Sequence, residues 1–118
     1  MAEAALFIGW GPAVRGREQK SLQVFGEVLQ FYARLQQEGT ITSFEPVALE
    51  PHGGDLNGFM LVRGDSEKLG RLRGSEEFLR LNNRGSMVVE NLGVINACIG
   101  EGLQKLFEDF GKQAAELG

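Results

Sequence analysis

Between Glu18 and Glu38 the apolar residues recur at the period of an α-helix, and the apolar runs on either side are too short for one. Leu22, Phe25, Leu29, Tyr32 and Gln36 share one face, and Val24, Val28, Phe31 and Leu35 widen it. Gly39 stands where a helix ends in the left-handed region. A long amphipathic helix requires an apolar surface to lie on, and short flanking strands can supply it. Ala4 to Trp10, closed by Gly11-Pro12, reads as a first strand. Ile41 to Glu50 reads as a second, broken at Pro46, which can donate no ladder hydrogen bond and so belongs at a sheet edge or a bulge. The turn residues Pro51 to Asp55 lead to a third strand, Gly58 to Arg63, so the second and third strands form a hairpin.

Further on, Asp65 or Ser66 can cap a short helix carrying Leu69 and Leu72. Gly74 interrupts it, and Ser75 before Glu76 and Glu77 starts a second piece bearing Phe78, Leu79 and Leu81. Leu92 to Ile99 forms the fourth strand. Glu101 to Leu117 is a last amphipathic helix, with Leu103, Leu106, Phe107, Phe110 and Ala114 on one face. The order β-α-β-β-α-β plus a helix predicts an α+β fold, a ferredoxin-like sandwich with a four-stranded antiparallel sheet and strands two and four at its edges. At 118 residues this is one domain spanning 1–118, since two cores would each be too small.

Charge and composition narrow the partners. A net charge of −4 and a pI near 5.0 argue against nucleic acid or an anionic membrane surface, both of which attract a basic field. No apolar run approaches the length of a membrane span, and no basic segment precedes the apolar N-terminal run as in a secretory signal. The single cysteine, Cys98, allows no internal disulfide, which suits a reducing cytoplasm.

In this fold helices cover one sheet face only, and an exposed second face should alternate polar with apolar. Strand alternation instead assigns Leu6, Ile8 and Trp10, then Phe59 and Leu61, then Val94 and Cys98 to the second face. An apolar second face calls for a partner sheet, most simply that of a homodimer.

That element order with an apolar second face resembles the dimeric α/β-barrel superfamily, in which two ferredoxin-like subunits stack sheet to sheet around a cavity. Leu72-Arg73-Gly74-Ser75-Glu76-Glu77-Phe78-Leu79-Arg80-Leu81 is similar to the second-helix region of its small members. Val94-Ile95-Asn96-Ala97-Cys98-Ile99-Gly100, leading into a helix, is similar to bacterial members of unknown role. The superfamily includes cofactor-independent monooxygenases of aromatic polyketides, haem-degrading enzymes, lactone isomerases, chlorite-dismutase relatives and stress-induced proteins. A shared fold does not select among these chemistries. The one histidine, His52, lies in a turn, so the helix-borne haem ligand has no counterpart.

Four sets of residues are candidates for chemistry. Gly11 to Gly16 has the spacing of a phosphate loop, but Pro12 removes an amide and Arg17-Glu18 stand where Lys-Ser/Thr is needed, so it reads as a plain strand-to-helix loop. His52, near Glu50 and Asp55, falls short of a metal ligand set, and no metal or bound cofactor is implied. Cys98 on an apolar strand reads as a small hydrophobe. The set we favour lies on the partner-facing side of the sheet. There the face of Trp10 is expected to carry Ser43, Glu45, Arg63, Asn96 and Cys98, with Asn82 and Arg84 at the mouth.

Polar groups on an apolar wall must pair or hold a ligand, because leaving one buried and unpaired costs about 1–3 kcal/mol. A Glu45–Arg63 ion pair with Asn96 tying down backbone is the purely structural account. A ligand site would use Trp10 and Phe59 to stack on a small apolar or aromatic molecule, with Asn96 or Arg63 stabilising an enolate-like anion. Two functions follow as expectations. One is a small-molecule pocket in the barrel, serving a cofactor-independent monooxygenase or isomerase. The other is a non-catalytic dimerisation or stress-related module with a filled interior.

Overall fold

The computed structural model describes residues 3–118. It contains β1 (Glu3–Trp10), α1 (Glu18–Glu38), β2 (Ser43–Ala48), β3 (Gly58–Asp65), α2 (Ser66–Arg73), α3 (Glu76–Ser86), β4 (Gly93–Ala97) and α4 (Gly100–Leu117). The four strands form one antiparallel sheet in the order β2-β3-β1-β4, which puts β2 and β4 at the edges as expected. Pro46 therefore sits on an edge strand, opposite Met60, where its missing N–H leaves no ladder bond unmade inside the sheet.

Local chemistry sets the helix boundaries. Gly39 ends α1 at φ 80°, a left-handed conformation that costs glycine little, and its N–H bonds back to the Gln36 carbonyl. The carboxylate of Asp65 accepts from Lys68 N to cap α2, and the Ser75 hydroxyl accepts from Phe78 N to cap α3. Each satisfies an amide that the first helical turn would leave orphaned.

Register decides which residues face the helices. Leu6 stands opposite Val62 and Ile8 opposite Met60, and all four are buried with Phe31, Tyr32, Leu35, Leu69, Leu72, Phe78 and Leu81 in one core. The three side chains most completely removed from solvent are Leu6, Met60 and Val62. Each such side chain contributes about 1.5–3 kcal/mol relative to exposure. The helix-covered face thus carries Leu6, Ile8 and Trp10, together with Val94 and Asn96 by their pairing with Ile8 and Leu6. This corrects the sequence expectation, which turned Leu6, Ile8, Trp10 and Val94 outward.

The open face carries Phe7, Val47, Phe59, Leu61 and Ile95 instead. Its apolar character stands, with Phe7 and Phe59 stacked at 5.2 Å and Ile95 62% exposed. Glu45 and Arg63 share that face and form an ion pair at 3.7 Å.

Helix α4 packs otherwise. Among the described residues its only contact with another element is with β1, none of its residues is buried, and Leu103, Leu106, Phe107 and Phe110 stand exposed along one stripe. The helices over the sheet are tied at two places. Arg84 on α3 grips Glu27 on α1 with two hydrogen bonds of 2.9 and 2.8 Å, and Arg34 on α1 reaches Glu77 on α3 at 2.7 Å. No helix among the described residues is long and apolar enough to cross a membrane.

Candidate functional site

A cavity of about 250 Å³ opens between α1 and the helix-covered face of the sheet. Its sheet wall is Ile8, Trp10, Ala48 and Met60, and α1 supplies Ser21, Val24, Phe25, Val28 and Tyr32. Leu81, Asn82 and Gly85 of α3 and the segment from Val88 to Leu92 complete it. That last segment is held in place by backbone. Gly11 N donates to the Glu90 carbonyl, Glu90 N to Pro12 and Val14 N to Val88, so the loop after β1 and the stretch before β4 form a short ladder.

The space exists because small residues stand at one end of the sheet. Trp10 lies opposite Gly58, which lies opposite Ala48, so a row across three strands has one large side chain and two small ones. The Trp10 indole leans over Gly58 and meets Phe25 from α1 at a centroid distance of 5.7 Å.

Among the described residues no charged side chain lines the cavity. Its polar groups are the Trp10 indole N–H, the Tyr32 phenol, the Asn82 amide and the Ser21 hydroxyl, the last already donating to the Glu18 carbonyl at 2.7 Å. Tyr32 is 3% exposed, and burial alone pushes its phenol far above the ordinary value of 10, with no hydrogen bond or nearby charge offsetting the shift. It is a neutral donor at any physiological pH. Outside the cavity wall, the two hydrogen bonds from Arg84 hold the Glu27 carboxyl below its ordinary range despite some desolvation.

The residues expected to act together are divided by the sheet. Trp10 and Asn82 line this cavity, on the helix-covered side, whereas both were expected at a pocket on the partner-facing side of the sheet. Asn96 shares Trp10's face, but its side-chain oxygen accepts from Arg73 Nη1 at 3.0 Å, tying α2 to β4. Ser43, Glu45, Phe59 and Arg63 lie on the opposite face, away from Trp10. Cys98 follows β4 and is exposed, so it is not the buried hydrophobe expected. Arg84 flanks the cavity rather than lining it, engaged with Glu27.

Sequence reasoning missed Tyr32, Phe25 and Ser21. Tyr32 and Phe25 lie on the helix face assigned to the core, Ser21 lies just before it, and the one available signal was a phenol within an otherwise aliphatic and Phe stripe. A second depression, about 380 Å³ and open to solvent, lies where the end of α1 meets α2 and α3; Lys68, Arg71, Glu38 and Glu77 give it both charge signs. Lys68 Nζ is already spent on the Gly39 carbonyl there. Among the described residues no three His, Cys, Asp or Glu stand close enough to hold a metal ion.

No protein-family model matches the sequence, and no curated protein matches it. Solved structures do. A dimeric ferredoxin-like protein of unknown function from Jannaschia aligns with TM-score 0.63 and 12% identity, over 83% of this chain and all of that one (100%). A dimeric protein of unknown function with a ferredoxin-like fold from Bacteroides fragilis aligns with TM-score 0.60 and 9% identity, over 80% of this chain and 94% of that one. The fold they share with this chain is ferredoxin-like. SnoaB, a cofactor-independent oxygenase from Streptomyces nogalater, has a similar fold, with TM-score 0.58 and 18% identity over 85% of this chain and 97% of that one. At these identities the likeness establishes architecture and leaves chemistry to the site.

Proposed function

We propose that this chain binds a small, uncharged, largely aromatic molecule in the cavity between α1 and the sheet and oxygenates it without a bound cofactor. The observation that carries the binding is the cavity itself: about 250 Å³, apolar, and bordered by the largely buried phenol of Tyr32. A charged ligand would lose its hydration with no counter-charge in the lining, which favours a neutral one. Trp10 and Phe25 offer ring faces, and Tyr32 and Asn82 offer donors to a ligand oxygen.

The oxygenase reading draws on the fold shared with SnoaB. Such a reaction puts one atom of dioxygen on an activated ring CH2, leaving C=O, and releases the other as water with the two hydrogens lost. The chain's part is to exclude water and to stabilise the substrate oxygen as it gains negative charge, through Tyr32 and Asn82.

The working unit in this proposal is a homodimer, paired through the open sheet face. Phe7, Phe59, Leu61 and Ile95 would be covered there, with Glu45 and Arg63 forming part of the interface. The free chain has a radius of gyration of 16.2 Å, against about 13–14 Å for a compact domain of its length, which also fits a subunit of a larger body. A cytoplasmic location accompanies this reading.

A second reading, binding without catalysis, is favoured by a lining that, among the described residues, includes no Asp, Glu, His or Lys. Calorimetric titration with 2-naphthol, anthrone and benzoate, followed by oxygen uptake with anthrone, tests both. The proposal expects the neutral compounds to bind, benzoate not to, and one mole of dioxygen to be consumed per mole of anthrone. Binding without uptake above the uncatalysed rate selects the second reading. No binding by any neutral ring compound refutes the pocket.

A further inference from the structure

We infer that Gly58 is the residue that sets the size of ligand the cavity accepts, acting as a positioning residue for the Trp10 indole. The inference rests on the pocket reading above but makes a separate claim about the sheet beneath it. A Cβ built on Gly58 would stand 2.6 Å from Trp10 Cζ2, 2.8 Å from Cε2 and 2.9 Å from Nε1. All three are atoms of one ring, and none belongs to the backbone, so the ring and not the strand must give way. Gly58 has an ordinary strand pairing, opposite both Trp10 and Ala48, and its place is explained by this contact rather than by a turn.

The direction of the displacement follows from what surrounds the ring. The sheet lies beneath it at Gly58, and Phe25 stands beside it at 5.7 Å. The unfilled space is the cavity, of which Trp10 is a wall. Any side chain at position 58 therefore lifts the indole off the sheet and into the volume a ligand would use. Glycine keeps the indole low and the cavity deep, while alanine makes it shallower with no change to any lining residue's identity. Gly58 itself does not line the cavity, so its effect on binding passes entirely through Trp10.

Trp10 is the only tryptophan, so intrinsic fluorescence reports its position directly. The experiment compares wild type, Gly58→Ala, Trp10→Leu and the double variant, by emission spectrum, thermal unfolding and calorimetric titration with phenol and 2-naphthol. Gly58→Ala should shift the Trp10 emission maximum. It should also weaken 2-naphthol about tenfold or more while changing phenol about twofold or less, because one added methyl in a close-fitting pocket is worth that much discrimination.

In the Trp10→Leu background the same substitution should change neither melting temperature nor selectivity, since the clashing ring is gone. Should Gly58→Ala alone not fold, the double variant matching Trp10→Leu in melting temperature still supports the inference. Unchanged Trp10 emission in Gly58→Ala overturns it, as does a double variant that melts well below Trp10→Leu. Wild type binding neither probe would defeat the pocket reading alone, because emission and the double-variant comparison judge Gly58 without a ligand.

Discussion

Replacing Tyr32 by Phe should affect the free protein and the ligand complex in opposite directions. The ring contacts survive the change, since Phe31 at 5.0 Å and Phe44 at 6.0 Å touch the aromatic body of Tyr32. What is lost is the hydroxyl of a residue that is 3% exposed and lines the cavity. Burial desolvates that hydroxyl; a desolvated polar group costs up to about 1–3 kcal/mol, and water in the adjoining cavity recovers part of that, so the gain on removal is about 1 kcal/mol. For a domain of this size that is a rise in melting temperature of about 4 °C.

Binding of 2-naphthol should weaken about fivefold, the worth of one neutral hydrogen bond of about 1 kcal/mol. The alkaline side gives a third readout. Burial raises the phenol in the folded state, while the unfolded chain titrates near 10. Above that pH the unfolded state loses a proton that the folded state keeps. The stabilisation is therefore whole below about pH 10 and is lost as pH climbs beyond it. Tyr32→Phe should flatten that limb of a urea-melt series. A variant less stable than wild type by about 1 kcal/mol or more would mean that the hydroxyl is paired in solution, and the reasoning about Tyr32 would fail.

Leu61→Arg, at the centre of the open sheet face, should convert a dimer to a monomer by light scattering at micromolar concentration, with the far-ultraviolet spectrum unchanged; a monomeric wild type would remove the dimer proposal. Glu27→Gln should flatten the acid limb of stability. The Glu27 carboxyl is held low by Arg84 first, with help from Gln23 and Arg80, so its contribution is present above the ordinary carboxylate range and lost as pH falls through the lowered value. An unchanged acid limb would show that the α1–α3 clasp contributes nothing measurable.

How much the sequence disclosed depended on whether a segment carried a unique local signal. Gly39, Asp65 and Ser75 marked helix ends because each meets a specific backbone need, and all three do so in the structure. The long helix declared itself by period, and Pro46 placed β2 at the edge. The faces of β1 were not legible. Ala4, Ala5, Leu6, Phe7 and Ile8 are apolar on both sides, as are Phe59, Met60, Leu61 and Val62 on β3, so neither strand alternates in a way that says which side meets the helices. A shift of one residue exchanges the faces wholesale, and it moved Trp10 from the open side to the cavity.

The residues expected to form one site are therefore split between the two faces of the sheet. Trp10 and Asn82 were named and line the cavity, while Glu45, Phe59 and Arg63 belong to the other face. Tyr32 could not be told from its core neighbours, because a phenol in an apolar stripe gives no sign of bordering a cavity until the fold surrounds it.

The account stands or falls on where a ligand sits. A crystal structure of the protein grown with 2-naphthol measures that directly. The account predicts ring density against Trp10 and Phe25, with the naphthol oxygen within hydrogen-bonding distance of Tyr32 or Asn82. Density on the open sheet face between two copies, or a cavity closed by Trp10 and Phe25 with no ligand, would contradict it.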